Sequence, residues 1–124
     1  MNKYLFLLFL FLGGGFVSCI QTSKDVDLLE RVERYVEVYP DSAMQFLNLI
    51  PCPEQLHGKE SADYALLLTQ TLDKNNLDSL QSDSLIRIAV DYYKEGNDPV
   101  KAGKSCYYYG KTMVIKGQES EAME

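Results

Sequence analysis

Pro40-Asp41-Ser42-Ala43-Met44-Gln45-Phe46-Leu47 and Ser82-Asp83-Ser84-Leu85-Ile86-Arg87-Ile88-Ala89 are two versions of one pattern, 42 residues apart. Each opens with residues whose side chains cap a helix start, and each continues with an apolar stripe at helical spacing. A weaker third opening, Glu119-Ser120, follows 36 residues after Asp83-Ser84. Self-similarity at such offsets is the mark of a helix-turn-helix unit stacked on itself. One helix pair cannot bury its own apolar stripe, whereas stacked pairs share a continuous core.

The segments between these openings read the same way. Val26 begins a helix in which Leu28, Val32, Tyr35 and Tyr39 recur at helical spacing, with Asp25 or Asp27 as its cap and Pro40 as its stop. Asp41 and Ser42 are the cap candidates of the second helix, with Ala43, Phe46, Leu47 and Ile50 as its inner stripe, and Pro51 and Pro53 end it. After a loop hinged at Gly58, a third helix runs from Glu60 to Lys74 and carries Ala62, Ala65, Leu66, Leu68 and Leu72; Asn75 and Asn76 suit its end. A fourth extends from Asp83 to Glu95 on Leu85, Ile86, Ala89, Val90 and Tyr93. Pro99 sits at the start of a fifth that reaches Lys116, after which Gly117 turns the chain into a sixth at Glu119. No stretch reads as a strand. The expected fold is all-α, an antiparallel helix-pair solenoid. Because Glu124 falls a few residues into the sixth helix, the last repeat is expected to be incomplete, as in a piece of a longer protein; the alternative is a short sixth helix with a frayed end.

The N-terminus has a different character. Lys3 precedes an apolar run from Tyr4 to Val17, too short to span a ~30 Å hydrocarbon core as a helix. Gly13 to Gly15 break any helix there, and Phe16-Val17-Ser18-Cys19 follows. This stretch resembles a bacterial lipoprotein signal, with Phe16 where Leu is usual. The resemblance implies removal of residues 1–18, lipid attachment at Cys19 and a tether over 19–25 ahead of the helical domain at 26–124. Ile20 in place of an aspartate after the lipidated cysteine favours the outer membrane, so the expected location is the cell envelope, anchored by lipid.

The final unit is the most specific. Tyr109, Gly110, Met113, Gly117 and Ala122 resemble the tetratricopeptide repeat. In that family a small residue on helix A admits helix B, a large apolar residue follows, a glycine marks the turn, and an alanine packs at the crossing. Met113 stands where an aromatic is usual, and Cys106 where the family favours Trp. The order of helix, Pro-Asp-Ser, helix, loop and the run Ala62 to Leu68 is similar to tetratricopeptide-repeat lipoproteins of Gram-negative bacteria.

Charge and chemistry narrow the function. The net charge is −6, and removal of Lys3 makes it one unit more negative. An acidic balance disfavours nucleic acid, whose phosphates reward Lys and Arg, and leaves membrane attachment to acyl chains. His57, the single histidine, lies beside Gly58 with neither nucleophile nor orienting acid in the sequence around it. Asp73, Asp78 and Asp83 bracket a polar loop, and Ser82-Asp83-Ser84 lacks the spacing of a calcium loop. No metal or cofactor motif occurs, and no enzyme is expected. Cys52 and Cys106 are either two separate thiols or, in an oxidising compartment, a pair.

Tyr107, Tyr108 and Tyr109 cannot all enter one core, because three adjacent helical positions span roughly 200°. With Tyr109 inward at the repeat position, Tyr107 and Tyr108, together with Tyr92, are the candidate partner-binding residues. The alternative is packing between neighbouring pairs with hydroxyls at the rim. On this reading Tyr108→Ala leaves stability nearly unchanged and Tyr109→Ala lowers it. The expected function is a membrane-anchored scaffold that binds a peptide or protein partner. Alternatives are the sensor part of a longer signalling protein and, lower still because the chain has no Trp, a glycan-capture lipoprotein.

Overall fold

Proline and capping chemistry place most of the helix boundaries. In the computed structural model, which describes residues 23–123, with side chains to 118, helix α1 covers 23–35. It is followed by α2 (Pro40–Asn48), a short 3-10 turn (Pro53–Gln55), α3 (Gly58–Lys74), a second 3-10 turn (Asp78–Leu80), α4 (Asp83–Tyr93) and α5 (Pro99–Met123). No strand is present among the described residues, so the protein is all-α. Pro40, Pro53 and Pro99 each begin a helical element, where a missing N–H costs nothing and the fixed φ is already helical. Ser82 Oγ accepts the Leu85 N–H at 3.3 Å to cap α4, and Asp98 Oδ1 accepts the Lys101 N–H at 3.1 Å to cap α5. At the far end of α3, Asn76 takes φ 58°. The Leu77 N–H then reaches Leu72 O at 2.9 Å and the Asn76 N–H reaches Asp73 O at 3.0 Å, a Schellman ending with Asn at the left-handed position.

The second helix departs from expectation. It starts at Pro40, two to three residues earlier than Asp41 or Ser42 as caps would allow, with Tyr39 before it and no side-chain cap. Asp41 instead sits in the first turn, where a negative charge faces the positive helix end.

The core forms two clusters joined through α3. One gathers Leu29, Val32 and Val36 with Ala43, Leu47 and Ile50 of the α2 region and Leu67 of α3. The other gathers Ala62, Ala65 and Leu66 of α3 with Ile86, Ala89 and Tyr93 of α4 and Tyr108 of α5. α3 is therefore buried nearly all round; even Thr69, Gln70 and Thr71 are inside. Thr69 returns its hydroxyl to Ala65 O at 2.8 Å, and Gln81 donates to Thr69 O at 2.9 Å, holding the loop before α4 against α3. Asn75 donates to Pro40 O at 2.9 Å and ties the end of α3 to the start of α2.

The first helix is rotated relative to the sequence reading. Leu29, Val32 and Val36 face the core, while Tyr35 and Tyr39 are exposed. The two stripes differ by one step, and packing against α2 and α3 selects the one through Leu29, Val32 and Val36. α1 also ends at residue 35, so Tyr39 no longer continues its face. A second correction concerns Gly117. It lies inside α5, which runs unbroken to Met123, and no turn separates a fifth from a sixth helix. A single glycine in a helix costs only about 1 kcal/mol, and the surrounding Lys, Gln and Glu carry the helix past it.

Candidate functional site

Helices α1, α3 and α5 line one shallow cleft of about 30 Å³; Glu33, Gln70, Lys101 and Lys104 are among its walls. Polar links run across the two seams. From the turn after α1, Glu37 Oε1 accepts Gln70 Nε2 at 2.6 Å, and its other oxygen lies 3.2 Å from Lys74 Nζ. From α5, Lys101 Nζ reaches Asp63 at 3.1 Å and Lys111 Nζ reaches Asp73 at 2.6 Å. The Lys74 bond and field hold the Glu37 carboxyl below the usual carboxylate range, against its desolvation. Asp73 raises the Lys111 ammonium through its hydrogen bond.

Asp63 is the most constrained charge at this face. It is buried, and its Oδ2 takes the Lys59 ammonium at 2.6 Å from one turn earlier on α3. Its Oδ1 accepts the Tyr93 hydroxyl from α4 and Lys101 from α5. Lys101 also sits 5.7 Å from the Tyr93 ring centroid. Burial on its own would raise the Asp63 pKa; the three donors and the Lys101 charge outweigh it and hold the carboxyl below its ordinary value. Desolvation and the adjacent carboxylate push the Tyr93 hydroxyl up. The group is therefore an ionised carboxylate whose two oxygens are both engaged. It pins three helices together through three donors.

The tyrosines divide differently from the sequence reading. Tyr108, expected to be available to a partner, is buried between α5 and α3, and burial raises its hydroxyl to about 12. The reason lies in α5's inward face, which consists of Ser105, Tyr108 and Thr112. Ser105 hides its hydroxyl by donating to Lys101 O at 2.7 Å, so a polar residue occupies a core position without penalty. Tyr109, expected inward, is half-buried at the α4 side, where the Arg87 guanidinium reaches its hydroxyl at 3.4 Å. The expected effects of Tyr108→Ala and Tyr109→Ala are thus reversed for Tyr108, which is a core residue. Tyr107 and Tyr92 are exposed, each resting edge-on against its buried neighbour at 5.0 Å. They lie on different helices and neither lines the cleft, so the structure does not bring them together in one groove.

The residues singled out for the repeat stand apart. A Cβ at Gly110 would meet nothing within 4 Å, so no helix makes a close approach there. Met113 is exposed. The Ala122 side chain lies outside the described residues, as do Cys19 and the whole stretch 1–18. Cys52 and Cys106 are separate free thiols. His57 is exposed just ahead of α3. Among the described residues, no group of three or more His, Cys, Asp or Glu is placed to hold a metal ion, and no helix is long and apolar enough to cross a membrane.

Two features escaped the sequence reading. Asp63 left a signal: an acid inside the apolar run Ala62 to Leu67, at an inward position, needs a buried cation or donor. The second is a cation-aromatic patch outside the first helix pair, where Arg31 lies 5.9 Å from the Phe46 ring and Tyr35 stacks on the same ring at 5.5 Å. Comparison with known protein families, with curated proteins and with solved structures returns no match to this chain.

Proposed function

We propose that this chain is a helical-repeat scaffold of tetratricopeptide type, tethered to the cell envelope through lipid on Cys19, which holds a peptide or protein partner without catalysing a reaction. The observation that supports the reading is that every other helix, α1, α3 and α5, lines the cleft, while no residue of α2 or α4 does. Stacked helix pairs place every first helix on one side in this way. The cleft is too shallow to swallow a ligand. A partner lies along it and meets Lys104 and Glu33, with the Asp63 junction keeping α3 and α5 in register beneath. The revised tyrosine positions move the contact from aromatic anchors to this polar face.

The test is a photo-cross-linking residue placed in the full chain in envelope membranes, at Lys104 in the cleft or at Asp91 on the exposed side of α4. A discrete adduct from Lys104 alone is expected. Equal adducts at both positions, or none at Lys104, would overturn the docking face. Mass spectrometry of the mature N-terminus, with Cys19→Ala as control, tests the tether separately; unmodified soluble protein from both chains removes it.

A further inference from the structure

α1 sorts its charges by side. Glu30 and Glu33 line a recess toward α3, together with Lys59 and Glu60. Arg31 and Arg34 turn the other way and line an open recess of about 440 Å³ with Tyr35 and Phe46. Arg34 stands two residues from both Val32 and Val36, so it points roughly 200° away from that core stripe. Asp27 is paired with Arg31 at 3.1 Å, whereas Arg34 makes no ion pair among the described residues. The same helix pair exposes Val38, Tyr39 and Leu49, at 68%, 56% and 62%. The Tyr39 ring lies 6.1 Å from Tyr35, and Leu49 is three residues past Phe46, on the same side of the chain. Guanidinium groups over aromatic rings, with exposed aliphatic side chains beside them, suit an apolar medium with anionic groups at its edge.

We propose that this face lies on the lipid bilayer, with Arg31 and Arg34 on headgroup phosphates and Tyr35, Val38, Tyr39 and Leu49 at the depth of the interface. This orientation rests on the lipid proposed at Cys19, which fixes the attachment but not the side turned to the bilayer. Cys19 stands four residues before α1, which begins at residue 23. Four residues reach at most about 14 Å, so the tether holds α1 against the surface that its acyl chains enter. Guanidinium groups make paired hydrogen bonds to phosphate, and tyrosine is enriched at membrane-water boundaries. The charge match is local. The chain as a whole carries −6 and is repelled by an anionic leaflet, so the side bearing the arginines is the one such a surface accepts. The acyl chains hold the protein, and this face turns it. Glu33 is two residues from Arg31, roughly 200° around the helix. With the arginines on the bilayer, the cleft beside Glu33 opens away from the membrane.

The experiment uses the full chain purified from envelope membranes, with Cys52→Ser and Cys106→Ser as background. It is reconstituted into vesicles of phosphatidylethanolamine with a minor share of phosphatidylglycerol and a nitroxide-labelled lipid. A fluorophore on Tyr39→Cys is expected to be quenched several-fold more strongly than one on Asp91→Cys of α4. Arg34→Glu replaces an attracted charge by a repelled one and lowers the face-down fraction roughly 10-fold, while Arg34→Lys retains it. Both leave helix content and the thermal midpoint unchanged, because Arg34 is exposed. Equal quenching at the two positions, in a chain whose N-terminus is acylated by mass spectrometry, overturns the orientation and leaves the tether standing. So does quenching at Tyr39→Cys that is indifferent to Arg34→Glu. An unacylated N-terminus removes the tether and the orientation together. A dimer seen by light scattering in detergent and dissociated by Arg34→Glu assigns the face to a second copy and overturns the proposal as well.

Discussion

α3 and α5 are the two longest helices described, and they solve opposite problems. α3 has neighbours on nearly every side and buries polar residues beside apolar ones: Thr69 turns to its own backbone and Asp63 collects Lys59, Tyr93 and Lys101, while the buried Thr71 hydroxyl makes no hydrogen bond. α5 buries one face through Ser105, Tyr108 and Thr112 and leaves Val100, Tyr107 and Val114 outside. Judged by composition, these two faces of α5 are the wrong way round. The difference teaches that a residue's burial here follows from its helix's place in the stack and from local hydrogen bonding, more than from its own polarity.

The sharpest way to break this contrast is at adjacent tyrosines. Tyr108→Ala removes a buried ring and is expected to cost about 3–5 kcal/mol, whereas Tyr107→Ala changes monomer stability by no more than about 0.5 kcal/mol, measured by urea denaturation at low concentration. Equal costs would mean that α5 is rotated from the arrangement described. Next comes Asp63→Ala, which strands Lys101 and Tyr93 beside a partly buried void; about 3 kcal/mol is expected, with Asp63→Asn costing less because it still accepts from Tyr93. Insensitivity to Asp63→Ala would show that the junction is ornamental.

The same junction has a pH signature. The Asp63 pKa is lowered in the folded chain, so its contribution is present above the unfolded value near 3.9 and is lost as pH falls through the lower folded value. Wild type should therefore lose more stability than Asp63→Asn on acidification below about pH 4, followed by thermal melts across that window. At the alkaline end, Tyr108 is raised to about 12, and its contribution fades as pH rises from the unfolded value near 10. Absorbance titration of Tyr108→Phe should lack one late-ionising tyrosine. The smallest effect concerns a glycine of α5: Gly110→Ala, with space for its methyl, should stabilise the diluted monomer by up to about 1 kcal/mol through helix propensity. A destabilised monomer would reveal a neighbour on that face within the same chain.

Much of the helical framework was legible in the residues. Ser82 and Pro99 as helix starts, Asn75 and Asn76 as a helix end, Gly58 at φ 56° as a hinge, and Ile86, Ala89 and Tyr93 as an inner stripe all rest on local chemistry that the chain carries with it. The rotation of α1 was not legible, because stripes through Leu28 and Leu29 differ by a single step and only packing against α2 and α3 chooses between them. Nor was the Asp63 junction, whose members come from three helices separated by up to 38 residues.

The sequence by itself determined that this protein is built of helices, where most of them begin, and which side of α2 and α4 is apolar, since those features depend on neighbours a turn away. Only the tertiary structure decided which tyrosine goes inside, which carboxylate is held ionised, and which face of α5 is left exposed. Those outcomes depend on distances between helices, and a helical period alone carries no information about what stands opposite.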